Sequence, residues 1–320
     1  MGDPAARVAG IAAASEALAR GESVAMPTET VYGLAADAGN PGAVAAVFAA
    51  KGRPRFNPLI VHVASVDAAR AVAALGDEAE RLARAFWPGA LTLVAEKRGG
   101  AGVADLVTAG LDTIAVRVPS HPIAHALLAA FGRPVAAPSA NRSGHVSATT
   151  AAHVVADLGD AVAVVLDAGP APIGVESTVV AFAGGEASLL RAGGVPREAL
   201  ERVLGRRLVA PVYDPGAPLA PGMSPSHYAP AATLRLGVSD VRPGEALLAF
   251  GEALPSGAEN AVETVNLSPS GDVTEAATRF FAALRQLDSV ARVIAVAPIP
   301  DHGLGEAIND RLRRAAAPRG

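Results

Sequence analysis

A chain of 320 residues that is 51% hydrophobic and only 18% charged carries enough apolar surface for two compact cores, which excludes a disordered polypeptide. A formal net charge of -4 argues against a surface built to grip a nucleic-acid backbone, and the absence of cysteine removes disulfides, thiolate nucleophiles and zinc ribbons together. The first residues lack a charged start followed by an apolar core, and Gly, Pro and charges interrupt every apolar run before it reaches membrane-spanning length, so a cytoplasmic protein without membrane contact is expected.

In chain order, residues 8–20 read as an amphipathic helix closed by Gly21, and residues 23–26 as a strand ended by Pro27. Further strands are expected at 59–63, 90–95, 114–118, 135–137, 162–166, 177–182 and 188–191, with helices at 41–50, 77–86, 121–131, 149–158 and 196–204. This pattern predicts an α/β fold whose large mixed-sheet domain occupies residues 1–205. Residues 206–231 hold too many prolines for a helix or a central strand and are expected to form an extended linker. Beyond them, strands at 234–238, 245–250, 262–267 and 292–297 and helices at 273–287 and 305–316 predict a small Rossmann-like domain over residues 232–320. No Gly-x-Gly-x-x-Gly follows its first strand, so no dinucleotide is assigned to it.

Several clusters carry polar groups into this apolar frame. PTETVYGLAADAG (27–39) either ends a strand in solvent or presents hydroxyls at the mouth of a sheet, where ligands of α/β folds bind. KGRPRFNPLIVHV (51–63) sets Lys51, one of only two lysines, with Arg53 and Arg55 in a stretch stiffened by Gly and Pro, followed by Asn57; it reads as a solvated charged face or as an anion site, and the buried strand that follows at once favours the anion site, with triphosphate the natural anion. His62, inside an apolar strand, reads equally as a satisfied core histidine or as part of that site. Arg117 stands among apolar residues where an unpaired guanidinium is costly, so it is either salt-bridged or captures a carboxylate or phosphate, and its planar fork favours capture.

His121 and His125 share the i, i+4 spacing of zinc ligands, but no Glu follows His121 and no third ligand is evident, so both are read as helix-surface residues. APSANRSGHVSATT (137–150) lies between a strand and a helix capped at Thr149 or Ser147, and exposes backbone N–H groups toward an anion without being a Gly-Lys-Ser/Thr loop. GVESTVV (174–180) and LLRAGGV (189–195) add a Ser and an Arg beside apolar strands; either alone reads as a structural polar residue, and both together read as one pocket lining. No Gly-x-Ser-x-Gly elbow is present, which disfavours covalent hydrolysis.

Taken in order, PTETVYGL, KGRPRFNPLIVHV, WPGALTLV, APSANRSG, GVEST and LLRAGG resemble the YrdC-like threonylcarbamoyl-AMP synthases over residues 8–205, and PGMSPSHYAP with the small domain after it resembles the two-domain branch of that family. The resemblance implies an enzyme that joins L-threonine, bicarbonate and ATP into threonylcarbamoyl-AMP and pyrophosphate, the product passing to a transferase that modifies tRNA next to the anticodon. It implies that Thr30, His62, Arg117, Ser177 and the backbone at Ala137 surround threonine. It also implies that Arg53, Asn57, Thr113, Ser139, Ser147 and Arg191 contact ATP, that Lys51 faces phosphate, and that Tyr228 closes over the nucleotide. Magnesium is expected to arrive with ATP, with no organic cofactor and no dedicated carboxylate cage. A double-stranded RNA-binding protein is disfavoured by the charge, although a weak direct contact with RNA is left open; the carbamoyltransferase of hydrogenase maturation is disfavoured by the lack of cysteine.

Overall fold

The structure is a computed structural model that describes residues 3–183, 186–210 and 227–318. Ten strands build the large sheet: β1 (Val24–Met26), β2 (Gly33–Asp37), β3 (Ile60–His62), β4 (Ala73–Ala74), β5 (Leu91–Lys97), β6 (Thr113–Arg117), β7 (Val135–Ala136), β8 (Val164–Val165), β9 (Thr178–Ala183) and β10 (Glu186–Arg191). Their order is β10-β9-β5-β6-β3-β7-β2-β1-β8, with β4 added on β5. The sheet is mixed: β3 and β6, β5 and β9, and β1 and β8 run parallel, and the other pairs antiparallel.

Eight helices accompany it: α1 (Pro4–Ala19), α2 (Pro41–Lys51), α3 (Val66–Val72), α4 (Asp77–Phe86), α5 (Asp105–Thr108), α6 (Pro122–Phe131), α7 (Ala151–Leu158) and α8 (Arg197–Leu204). Successive strand residues point to opposite faces, and the packing follows that alternation. Val24 and Met26 pack with Leu18 of α1 and Leu127 of α6, whereas Ala25 joins Phe48 of α2, Leu82 of α4 and Leu200 of α8. Burial on both faces explains why these strands read as continuous apolar runs rather than alternating ones.

The second sheet is entirely parallel, in the order β11-β14-β12-β13, from β11 (Thr233–Leu236), β12 (Ala246–Ala249), β13 (Thr264–Asn266) and β14 (Val293–Val296). Phe280, Phe281 and Leu284 of α9 (Val273–Asp288) and Ile308 and Leu312 of α10 (Leu304–Ala316) form its core. This is the expected mixed α/β fold followed by a small α/β unit.

β2, β4, α3 and α5 are additions to the expected elements. β2 is GLAAD, a run of weak strand formers that pairing with β1 and β7 holds extended. The cap of α7 is Thr150, whose Oγ1 accepts from His153 N, rather than Thr149 or Ser147. Of the expected linker, residues 211–226 lie outside the described residues; Val209 before them hydrogen-bonds to Ala187 and Leu189 at the edge of the large sheet.

Candidate active site

His62 and Arg117 end the parallel strands β3 and β6 at paired positions of the register, and the antiparallel β7 beside β3 leads into Ala137. Carboxyl ends of neighbouring parallel strands are where open α/β sheets bind ligands. A cavity of about 40 Å³ lies there, lined by Thr28, Thr30, Arg53, His62, Arg117, Ala137, Ser139, Glu176, Ser177, Arg191, His227 and Tyr228 among others.

Each nitrogen of the Arg117 guanidinium has a protein partner, which uses three of its five N–H donors. Nη2 donates to Glu29 Oε1 at 2.6 Å, Nη1 to Thr30 Oγ1 at 2.9 Å and Nε to Gly89 O at 3.1 Å, with both partners of the ion pair buried. Burial pushes the Glu29 carboxyl up, but the charge and hydrogen bond of Arg117 outweigh it and hold it below the usual carboxylate range. Of the two readings of Arg117, the salt bridge is therefore present, as a guanidinium among apolar strands requires. Beside it, His62 Nδ1 lies 3.2 Å from Ile60 O. A carbonyl only accepts, so Nδ1 carries the proton and Nε2 keeps a lone pair. Burial and the Arg117 charge bring the pKa of His62 down to about 3, so the ring is neutral.

The basic groups are held by backbone carbonyls. Arg53 donates to Asn57 O at 3.2 Å and Pro58 O at 3.0 Å, within the turn that Pro54 and Pro58 stiffen. Burial lowers it to about 10, still charged at neutral pH. Arg191 brackets Ser177, with Nε at 3.1 Å and Nη2 at 2.9 Å from Ser177 O and Nη2 at 3.1 Å from its Oγ. Lys51, expected to face phosphate, donates to Ser139 O at 2.6 Å and to Asn141 O, because the buried carbonyls of that loop need donors. Burial and the nearby Arg53 charge bring its ammonium well below the usual lysine range.

His227 and Tyr228 close the cavity. Tyr228 is buried at a φ of 63°, its ring centroid 4.0 Å from that of His227, and it accepts a hydrogen bond from Arg191. Burial lowers the His227 pKa strongly, helped by the surrounding charges of Arg53, Lys51, Arg191 and Arg311. Arg53, Arg117 and Arg191 thus line a small space together with the single carboxylate of Glu176.

Residues 16–193 match the family model described as telomere recombination, and residues 195–317 match the C-terminal domain of threonylcarbamoyl-AMP synthase. The chain is 43% identical to the threonylcarbamoyl-AMP synthase of Pyrococcus abyssi, over 93% of this chain and 92% of that protein. The Bacillus subtilis threonylcarbamoyl-AMP synthase is 40% identical over 97% and 93%. The crystal structure of Pyrococcus abyssi Sua5 complexed with L-threonine superposes with a TM-score of 0.86 at 39% identity, covering 97% of this chain and 93% of that one. The chain belongs to the threonylcarbamoyl-AMP synthase family.

Against that family's pattern, Thr30, His62, Arg117, Ala137 and Ser177, expected around threonine, all line the one cavity. Of the residues expected at ATP, Arg53, Ser139, Arg191 and Tyr228 line it too. Asn57 supports Arg53 through its carbonyl, and Ser147 Oγ donates to Glu176 Oε1 at 2.5 Å. Thr113 begins β6 and Arg117 ends it, about 13 Å apart along the strand, so Thr113 is not brought to the cavity. His125 is an exposed surface residue as expected, whereas half-buried His121 is the cap of α6, its Nδ1 accepting from Ile123 N.

Thr28, Glu176 and His227 of the lining, and Glu29 and Arg311 that pair with groups at it, went unassigned in the synthase reading of the sequence. Glu29 and Glu176 sit inside quoted motifs, and an acid between apolar neighbours signals a buried cation partner. His227 precedes Tyr228 directly. Arg311 belongs to NDRLRR, which reads as an ordinary charged helix face and offers no signal.

Proposed function

We propose that this enzyme joins L-threonine, bicarbonate and ATP to give threonylcarbamoyl-AMP and pyrophosphate, and hands the product to a transferase for threonylcarbamoyladenosine modification of tRNA. The observation that carries the reading is the contact of Arg191 with Ser177, 3.1 Å between Nη2 and Oγ, because it brings a guanidinium assigned to ATP onto a hydroxyl assigned to threonine. Both substrates then meet at one point.

In the proposed sequence the threonine amine takes up bicarbonate with loss of water to give N-carboxythreonine. The carbamate oxygen then bonds to the α-phosphorus of ATP while the bond to the β-phosphate oxygen breaks and pyrophosphate leaves. No protein nucleophile takes part, so catalysis is positioning and charge stabilisation. Thr30, Ala137 and Ser177 orient threonine; the Nε2 lone pair of His62 accepts from its amine; Arg117, held rigid by Glu29, faces its carboxylate. Arg53 and Arg191 offset the charge building on phosphate, with Asn57 and Ser139 beside them. Lys51 and Ser147 brace the loops that carry these groups. A role of Thr113 at ATP rests on the family resemblance alone.

Magnesium enters as part of the nucleotide substrate, held by phosphate oxygens and water, as this ion prefers. That mode suits a donor set in which Glu29 and Glu176 each pair with an arginine. His227 and Tyr228 must swing out to admit ATP and return to keep water from the mixed anhydride. Pyrophosphate release tests the reading: release from ATP that depends on threonine and bicarbonate supports it, and release indifferent to threonine overturns it.

A further inference from the structure

We infer that Arg311, on the last helix of the small domain, is a positioning residue of the nucleotide site, holding Glu176 and Tyr228 where Ser147 and Arg191 can meet ATP. The inference rests on the reading just given.

Arg311 heads the fully buried side chains among the described residues, and two of its hydrogen bonds cross to the large domain. Nε donates to Glu176 Oε2 at 3.0 Å, and Nη1 to Ala192 O at 2.9 Å as well as to Asp310 Oδ2 at 2.8 Å. Its guanidinium carbon lies 5.0 Å from the centroid of the Tyr228 ring. The other oxygen of Glu176 receives Ser147 Oγ, and Tyr228 receives a hydrogen bond from Arg191, which holds Ser177. A continuous run of contacts, Ser147 to Glu176 to Arg311 to Tyr228 to Arg191 to Ser177, thus passes around the cavity, and its middle member comes from the second domain.

Cohesion between the domains does not require this arrangement. Val31, Val146 and Val175 of the large domain already share an apolar cluster with Phe280, Phe281 and Leu284, and Arg285 is fastened to Asp157 at 2.8 Å and to Val146 O. A buried ion pair returns little more than the cost of desolvating it, and an apolar pair of similar volume would hold the domains as well. An apolar pair would not aim one carboxylate oxygen at Ser147 while laying a flat cation against the Tyr228 ring; a planar guanidinium does both.

The test uses the full chain with Arg311→Lys and Arg311→Met, together with Glu176→Gln, which attacks the same contact from its other end. Michaelis constants for ATP and threonine are measured separately, ATP affinity by calorimetry, and folding by thermal unfolding. The expected result is a KM and Kd for ATP raised about tenfold or more in folded Arg311→Lys, with the threonine KM changed less than about twofold. Adding Tyr228→Ala should then cause little further loss, since both changes break one unit. If Arg311→Met fails to fold, Arg311→Lys and Glu176→Gln carry the same expectation. Unchanged ATP constants, an equal rise in both constants, or full multiplicativity with Tyr228→Ala would overturn the inference. Calorimetric ATP binding is read without turnover, so loss of the proposed reaction and loss of this role are distinguishable.

Discussion

Arg117 and Glu29 form an ion pair of 2.6 Å at the end of β6 with both side chains buried. Removing one member of such a pair strands the other charge, which costs roughly 3–5 kcal/mol. Glu29→Ala is therefore expected to lower the first unfolding midpoint in urea sharply and to raise the KM for threonine, since Arg117 loses its anchor. Glu29→Gln, which keeps an acceptor, should lose less stability. Equal midpoints for Glu29→Ala and the parent chain would show that the pair does not hold this strand end.

Acid should destabilise the fold through His62. Its folded pKa of about 3 lies below the ordinary value of 6.5, so the unfolded chain binds the extra proton first as pH falls. The stability it contributes is complete above pH 6.5 and is lost as the pH drops from there through about 3. Denaturant titrations of the parent chain and His62→Gln across that window should show the shallower slope in the variant. Parallel slopes would mean that His62 does not titrate as a buried neutral ring.

Gly193 packs against the GVEST segment so closely that a Cβ there would stand 2.3 Å from Glu176 O and 2.5 Å from Thr178 N. Both obstacles are backbone, so neither can rotate away. Gly193→Ala is expected to displace Ser177, giving a Tm lower by several degrees and threonine-dependent turnover reduced at least about tenfold. A variant with parent stability and turnover would contradict this packing.

Tyr228 is held between Arg191, Arg311 and His227. Tyr228→Ala should raise the KM for ATP and speed loss of the adenylate to hydrolysis, so that pyrophosphate released exceeds intact product recovered. Equal amounts of the two in the variant and in the parent would show that Tyr228 does not keep water from the adenylate.

Much of this site is legible in the residues before any coordinates. Strand ends that carry His62 and Arg117 stand out as polar breaks in apolar runs, and Arg53 and Lys51 stand out because a basic cluster abuts a buried strand. What the residues do not reveal is which partner each cation takes. Lys51 could bind phosphate or carbonyls, and only the approach of the loop at Ser139 and Asn141 decides it. Nor is β2 readable, since GLAAD has no strand preference of its own and is extended by its neighbours. Arg311 is the extreme case: it lies 135 positions from Glu176, and only the packing of the second domain on the first brings the two together.

Threonine, bicarbonate and the adenylyl group of ATP are proposed to be joined in one cavity. Mass spectrometry of the full chain incubated with ATP, magnesium, threonine and carbon-13 bicarbonate tests it most directly. The expected product is threonylcarbamoyl-AMP one mass unit heavier than that from unlabelled bicarbonate, and none without threonine. An adenylate lacking the label, or no threonine-dependent adenylate at all, would contradict it.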